Sequence, residues 1–97
     1  MNLAEARAEI AAVDREMAAL FERRMEIAEA IAAWKQERGL PVRDDAQEER
    51  VLKTNSALIQ DLRKRELYLS FQREVMRLSR RWQRQWMEEA PETEGEP

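Results

Sequence analysis

Between residues 3 and 38 apolar side chains recur at spacings of three and four: Leu3, Ala6, Ile10, Val13, Met17, Leu20, Ile27, Ile31 and Trp34. This rhythm predicts one long amphipathic helix whose apolar seam is close to a heptad. No glycine or proline interrupts it before Gly39-Leu40-Pro41. Gly39 suits a helix C-terminal cap, and Pro41 keeps the helix from resuming. Asp44 or Asp45 is expected to cap a short second helix, with Glu48 placed for a capping-box contact. That helix runs to about Lys53, and Thr54-Asn55-Ser56 reads as the break after it. Asp61 opens a third, long helix running to about Glu89. Its apolar residues Leu67, Phe71, Val75, Leu78, Trp82 and Trp86 keep helical spacing, with the two tryptophans at core positions. Residues 1–90 form one helical domain in this reading, and residues 91–97 an acidic, disordered tail. The expected fold class is all-α, with one long N-terminal helix, one short helix and one long C-terminal helix.

A helix over residues 3–38 is about 54 Å long at about 1.5 Å per residue. A compact globule of this chain length has a radius of gyration near 13 Å. What remains of the chain is too little to cover so long a seam. A second copy is therefore expected to bury it, which makes the protein a homodimer.

Composition narrows the chemistry. The 97 residues include no cysteine and no histidine, which excludes disulfides, zinc-thiolate sites, a catalytic thiol and the usual general base. No metal or cofactor is expected. No apolar run approaches the roughly 20 residues that span a bilayer, and the N-terminus lacks a charged-then-apolar signal pattern. A soluble cytoplasmic protein without membrane association is the expectation. The net charge of −3 hides a basic third helix carrying Arg63, Lys64, Arg65, Arg73, Arg77, Arg80, Arg81 and Arg84. It has neither aromatic interleaving nor a helix-turn-helix around it, so it reads as a solvated face complementing the acidic first helix rather than as a nucleic-acid surface.

The residue that breaks the seam carries the most information. Arg24 stands in the apolar rhythm between Leu20 and Ile27. A guanidinium there needs an anion to offset its desolvation. Two readings stand open: an ion pair with Glu48 or Glu26, or a bound carboxylate, which arginine matches bidentately. Lys35 lies eleven residues on and shares roughly that face. Arg7 lies seventeen residues before Arg24, about 25 Å along the axis, so one ligand reaches both only if a partner chain supplies Arg7. Singly, Arg7 and Lys35 read as solvated charges. Ser79 and Gln83, four apart on one face with Gln72 and Met76, read singly as the wet flank of an amphipathic helix.

Taken in order, these residues resemble the all-helical AroQ-type chorismate mutases. The resemblance rests on Arg7, Val13-Asp14, Glu22-Arg23-Arg24, Lys35, Leu40-Pro41-Val42-Arg43-Asp44 and Glu48, then Arg73-Glu74-Val75-Met76, Ser79 and Gln83, over about residues 3–87. It implies an intertwined dimer with two active sites that rearranges chorismate to prephenate in phenylalanine and tyrosine biosynthesis. It further implies that Arg24 binds a substrate carboxylate, joined by Arg7 from across the interface. Lys35 and Gln83 would donate to the ether oxygen of the breaking bond. Glu48 would accept from the ring hydroxyl, with the Asp44 backbone nearby, and Ser79 would assist at the ring carboxylate. Gln47 stands where such enzymes commonly carry arginine just before the glutamate of the second helix, so a substrate-binding position here lacks its charge. The reaction needs no nucleophile, proton transfer or metal, in keeping with a chain free of His and Cys. The alternatives are an isochorismate-pyruvate lyase or an aminodeoxychorismate mutase on the same scaffold, or a non-catalytic helical dimer. The last predicts Arg24 paired internally and no basic cavity.

Overall fold

The computed structural model describes residues 1–89 of the chain. The acidic tail expected at 91–97 lies outside the described residues. Within them the protein is all-helical, with α1 (Leu3–Glu37), α2 (Asp45–Ser56) and α3 (Leu62–Glu89) and no strand.

Local chemistry sets the ends of these helices. At the start of α1, Asn2 Oδ1 accepts from the Glu5 N–H at 2.8 Å, and the Asn2 amide donates back to the Glu5 carboxylate at 2.8 Å. One orphan donor of the first turn is thereby satisfied. At the other end Gly39 has φ +63°, the Gly39 N–H donates to Gln36 O at 3.2 Å and the Leu40 N–H to Lys35 O at 2.9 Å. This pair of bonds is a Schellman cap, and its left-handed residue is the glycine expected there. Gly39→Ala has open space for a methyl group but not a comfortable backbone. It is expected to destabilise the fold by about 1–2 kcal/mol, read as a lowered urea midpoint at unchanged m-value.

Asp44, not Asp45, caps α2, its Oδ1 accepting from the Gln47 N–H at 3.1 Å. Glu48 is thereby released from the expected capping-box role and reaches α3 instead. The end of α2 also differs from expectation. Thr54-Asn55-Ser56 continues the helix rather than breaking it. Weak helix formers are tolerated in a last turn, where the Ser56 hydroxyl donates to Lys53 O at 3.2 Å. The chain leaves the helix through turns at Leu58 and Ile59. At the start of α3, Asp61 accepts from the Arg63 N–H at 3.0 Å and pairs with the Arg63 guanidinium at 2.9 Å. These bonds hold the Asp61 carboxyl below its usual range.

α3 packs on both α1 and α2, and those two meet only through it. The buried line of α3 is Gln72, Met76, Ser79 and Gln83, set against Met25, Ala28 and Ala32 of α1 and Leu52 of α2. This corrects one expectation. Ser79 and Gln83 are buried rather than a wet flank. Leu67 and Phe71 are exposed, while Val75, Leu78, Trp82 and Trp86 are only half-buried. α3 thus turns a smaller, more polar face inward, and on α1 the small residues Ala28 and Ala32 are buried as well. Trp82 Nε1 donates to Glu29 at 3.0 Å and ties the two long helices together.

The molecule measures 63 × 30 × 14 Å, with a radius of gyration of 17.5 Å. A thickness of 14 Å is one layer of helices. A stable domain needs two packed layers around a core. Here the seam of α1 stays open: Leu3, Ile10, Val13, Met17, Leu20, Ile27, Ile31 and Trp34 are each between 45 and 63% exposed. No helix among the described residues is long and apolar enough to cross a membrane.

Candidate active site

The last third of α1, the 38–44 loop, α2 and the middle of α3 enclose a cleft of about 290 Å³. That volume is at the small end of ligand cavities, which run from about 300 to 1,000 Å³. Its apolar walls are Ile27, Ala28, Ile31, Val42, Val51 and Met76, and its polar groups are Arg24, Lys35, Asp44, Gln47, Glu48, Ser79, Arg80 and Gln83.

Each polar group arrives for a local reason. Arg24 and Lys35 are eleven residues, about three turns, apart on α1 and so face the same side. Both are half-buried. No carboxylate among the described residues pairs with Arg24, so the ion pair with Glu48 or Glu26 that was open from sequence is not formed. Lys35 Nζ donates to Val42 O at 2.8 Å. The Schellman turn at Gly39 folds the loop back and brings that carbonyl within reach. An ammonium has three protons, so two remain for a ligand.

Ser79 and Gln83 lie one turn apart on α3, each 7% exposed, and the Gln83 amide donates to Ser79 Oγ at 3.2 Å. The Gln83 carbonyl oxygen is buried without a hydrogen-bond partner among the described residues. A buried amide with half its capacity unused carries a desolvation cost unless a ligand meets it. Turned over, the same amide accepts from the Ser79 hydroxyl and frees its NH₂ as a donor. Either way its amide keeps hydrogen-bonding capacity for a ligand in the cleft.

Arg80 reaches from α3 to α2, and its Nη1 lies 2.5 and 2.6 Å from the two Glu48 oxygens. Gln47 is exposed, and its oxygen accepts from Arg50 at 2.9 and 3.2 Å. Arg7 is exposed on the first turns of α1, outside the cleft. The structure thus gathers every sequence-predicted site residue except Arg7. Sequence reasoning missed Arg80. Its signal was its place beside Ser79 and one turn after Met76, which puts it on the flank of the same face. The α3 arginines also find partners other than the acidic surface of α1: Arg77 pairs with Glu74 in its own helix and Arg80 with Glu48 of α2.

A larger hollow on α1 makes a useful contrast. It is lined by Glu22, Glu26 and Glu29 with Ala18, Ala19, Phe21, Met25 and Trp82, and it offers an anion no cation. The 290 Å³ cleft carries three cations and two carboxylates.

A family profile described as chorismate mutase type II matches residues 6–84, most of the chain. The chain belongs to the chorismate mutase type II family. The matched span contains Arg7 and every residue lining the cleft. No curated protein and no solved structure matches the chain. Within this chorismate mutase-type chain, the cleft has the chemistry that holds a small anion: fixed cations, a buried amide and apolar walls.

Proposed function

We infer that the protein is a chorismate mutase, converting chorismate to prephenate in aromatic amino-acid biosynthesis, and that it works as a homodimer. The observation that carries this reading is the convergence of Arg24, free of any described carboxylate, with Lys35 and the half-used amide of Gln83 in one cleft. A non-catalytic dimer would neutralise Arg24 internally.

The reaction breaks one C–O bond and forms one C–C bond within a single molecule. No proton moves and no second reactant enters. The enzyme has two tasks. It must hold a flexible dianion in the compact conformation that brings the bond-forming carbons together, an orientation effect. It must also stabilise negative charge growing on the ether oxygen as the C–O bond lengthens. Arg24 clamps one carboxylate, since a guanidinium fork matches its two oxygens. Lys35 and Gln83 donate to the ether oxygen. Ser79 hydrogen-bonds the ring carboxylate, and Glu48, with Asp44 nearby, accepts from the ring hydroxyl. Ile27, Ile31, Val51 and Met76 thin out the water, which strengthens every charge-assisted bond inside.

The dimer completes the site. The open seam of α1 and the single-layer thickness support burial against a second copy. An antiparallel arrangement carries Arg7 of the partner subunit toward this cleft, where it joins Arg24 on the dianion.

The deciding assay follows loss of chorismate with purified protein, wild type against Arg24→Ala, with isochorismate and aminodeoxychorismate run beside it. Wild type is expected to consume chorismate in preference to the other two. Arg24→Ala is expected to lose about 10²-fold or more in kcat/KM, the cost of a charge-assisted, bidentate contact. Wild type that turns over only isochorismate or aminodeoxychorismate moves the protein to the sister activity. No turnover of any of the three removes the enzymatic reading.

A further inference from the structure

We propose, resting on the reading of the cleft as a chorismate site, that Arg80 is a substrate-binding residue. It replaces from α3 the positive charge that Gln47 does not supply from α2, and Glu48 holds it in place until substrate arrives.

The need for such a residue follows from the cleft's charge. Arg24, Lys35 and Arg80 face Asp44 and Glu48 there. With Arg80 the lining carries one net positive charge. Without it the cations of this subunit's lining only balance its carboxylates, and Arg7 of the partner subunit would be the sole source of excess positive charge for a dianion. Gln47 brings no charge, and its oxygen is already engaged by Arg50 at 2.9 Å. Arg80 is therefore the one further cation that this subunit's cleft can offer a second carboxylate.

The geometry fits the role. Arg80 follows Ser79 directly and precedes Gln83 by three positions, so its backbone is fixed beside the two most buried polar groups of the cleft. Its side chain is only 15% exposed. Only Nη1 is engaged by Glu48, which leaves the donors on Nη2 and Nε for another acceptor. The pairing is also informative. A half-buried arginine without an anion is costly, and Glu48 offsets that cost while the cleft is free of substrate. Substrate then completes a network of carboxylate, guanidinium and Glu48, with Glu48 keeping a lone pair for the ring hydroxyl.

Steady-state kinetics on chorismate test the assignment. Arg80→Ala is expected to raise KM by about 10- to 100-fold, the range for a hydrogen-bonded charge, with a smaller change in kcat. Gln47→Arg in the Arg80→Ala background returns the cation from α2 and is expected to recover most of that loss. Glu48→Gln/Arg80→Ala removes both halves of the ion pair, so no uncompensated charge stays behind to unfold the chain. This double variant is expected to keep the raised KM. Arg80→Ala with KM within twofold of wild type overturns the assignment. So does a double variant that returns to wild-type KM, because Arg80 would then serve only to neutralise Glu48. Gln47→Arg without any recovery overturns it as well. All three outcomes are read against an active wild type, which keeps the chorismate reading intact. A wild type inactive on chorismate fails that reading and takes this assignment with it.

Discussion

Lys35→Ala is expected to lower turnover of chorismate by about 10²-fold or more, with a smaller effect on KM. The reasoning starts from where Lys35 is held. The Gly39 cap turns the chain so that Val42 O accepts from Lys35 Nζ at 2.8 Å. The ammonium is thereby fixed before substrate binds, so it loses little reorganisation energy at the moment of reaction. Its charge acts where negative charge develops, and such an interaction counts more in the transition state than in the ground state. Alanine removes it altogether. Single-turnover rates at saturating chorismate check this, alongside circular dichroism to show that the helices persist. A rate within threefold of wild type removes Lys35 from the chemistry.

Mixing two inactive variants is expected to restore activity. In the proposed dimer each cleft takes Lys35 from one chain and Arg7 from the other. Homodimers of Arg7→Ala have two damaged sites, as do homodimers of Lys35→Ala. A heterodimer of the two has one site with both defects and one with neither. After equimolar mixing and random exchange of subunits, half of the dimers are mixed and one site in each is whole. About a quarter of wild-type activity is expected. The measurement is specific activity after co-refolding, compared with each variant refolded alone. Mixed samples no more active than their parents exclude Arg7 as a residue shared between subunits.

Much of this arrangement was legible in the sequence, and the part that was not has a common cause. The three helices follow from periodicity and breakers, and Gly39 marked the one left-handed turn among the described residues. Arg24 stood out because a charge interrupted an apolar rhythm, and the structure leaves it facing the cleft with no described carboxylate on it. The open seam of α1 was also foreseeable, because its length exceeds what the rest of the chain can cover. The orientation of α3 was not. Periodicity locates a stripe on a helix but does not say which neighbour lies against it. Leu67 and Phe71 keep helical spacing yet are exposed in the single chain, whereas the Gln72-Met76-Ser79-Gln83 line of α3, the helix that packs on both α1 and α2, is buried. Arg80 escaped notice for a related reason. Its partner Glu48 is 32 residues away in sequence, and no local pattern encodes a pairing over that distance. Thr54-Asn55-Ser56 misled because residues that favour turns are also tolerated as the last turn of a helix.

A body 14 Å thick has only a thin inside, and this has a consequence for its heredity and its abundance. If a twin supplies the missing layer, every codon specifying the α1 stripe is expressed twice across one two-fold axis, and a single unfavourable change is felt in duplicate. On the same condition folding would be a collision between two molecules, and the cell's supply of the protein would become part of what keeps each molecule in shape.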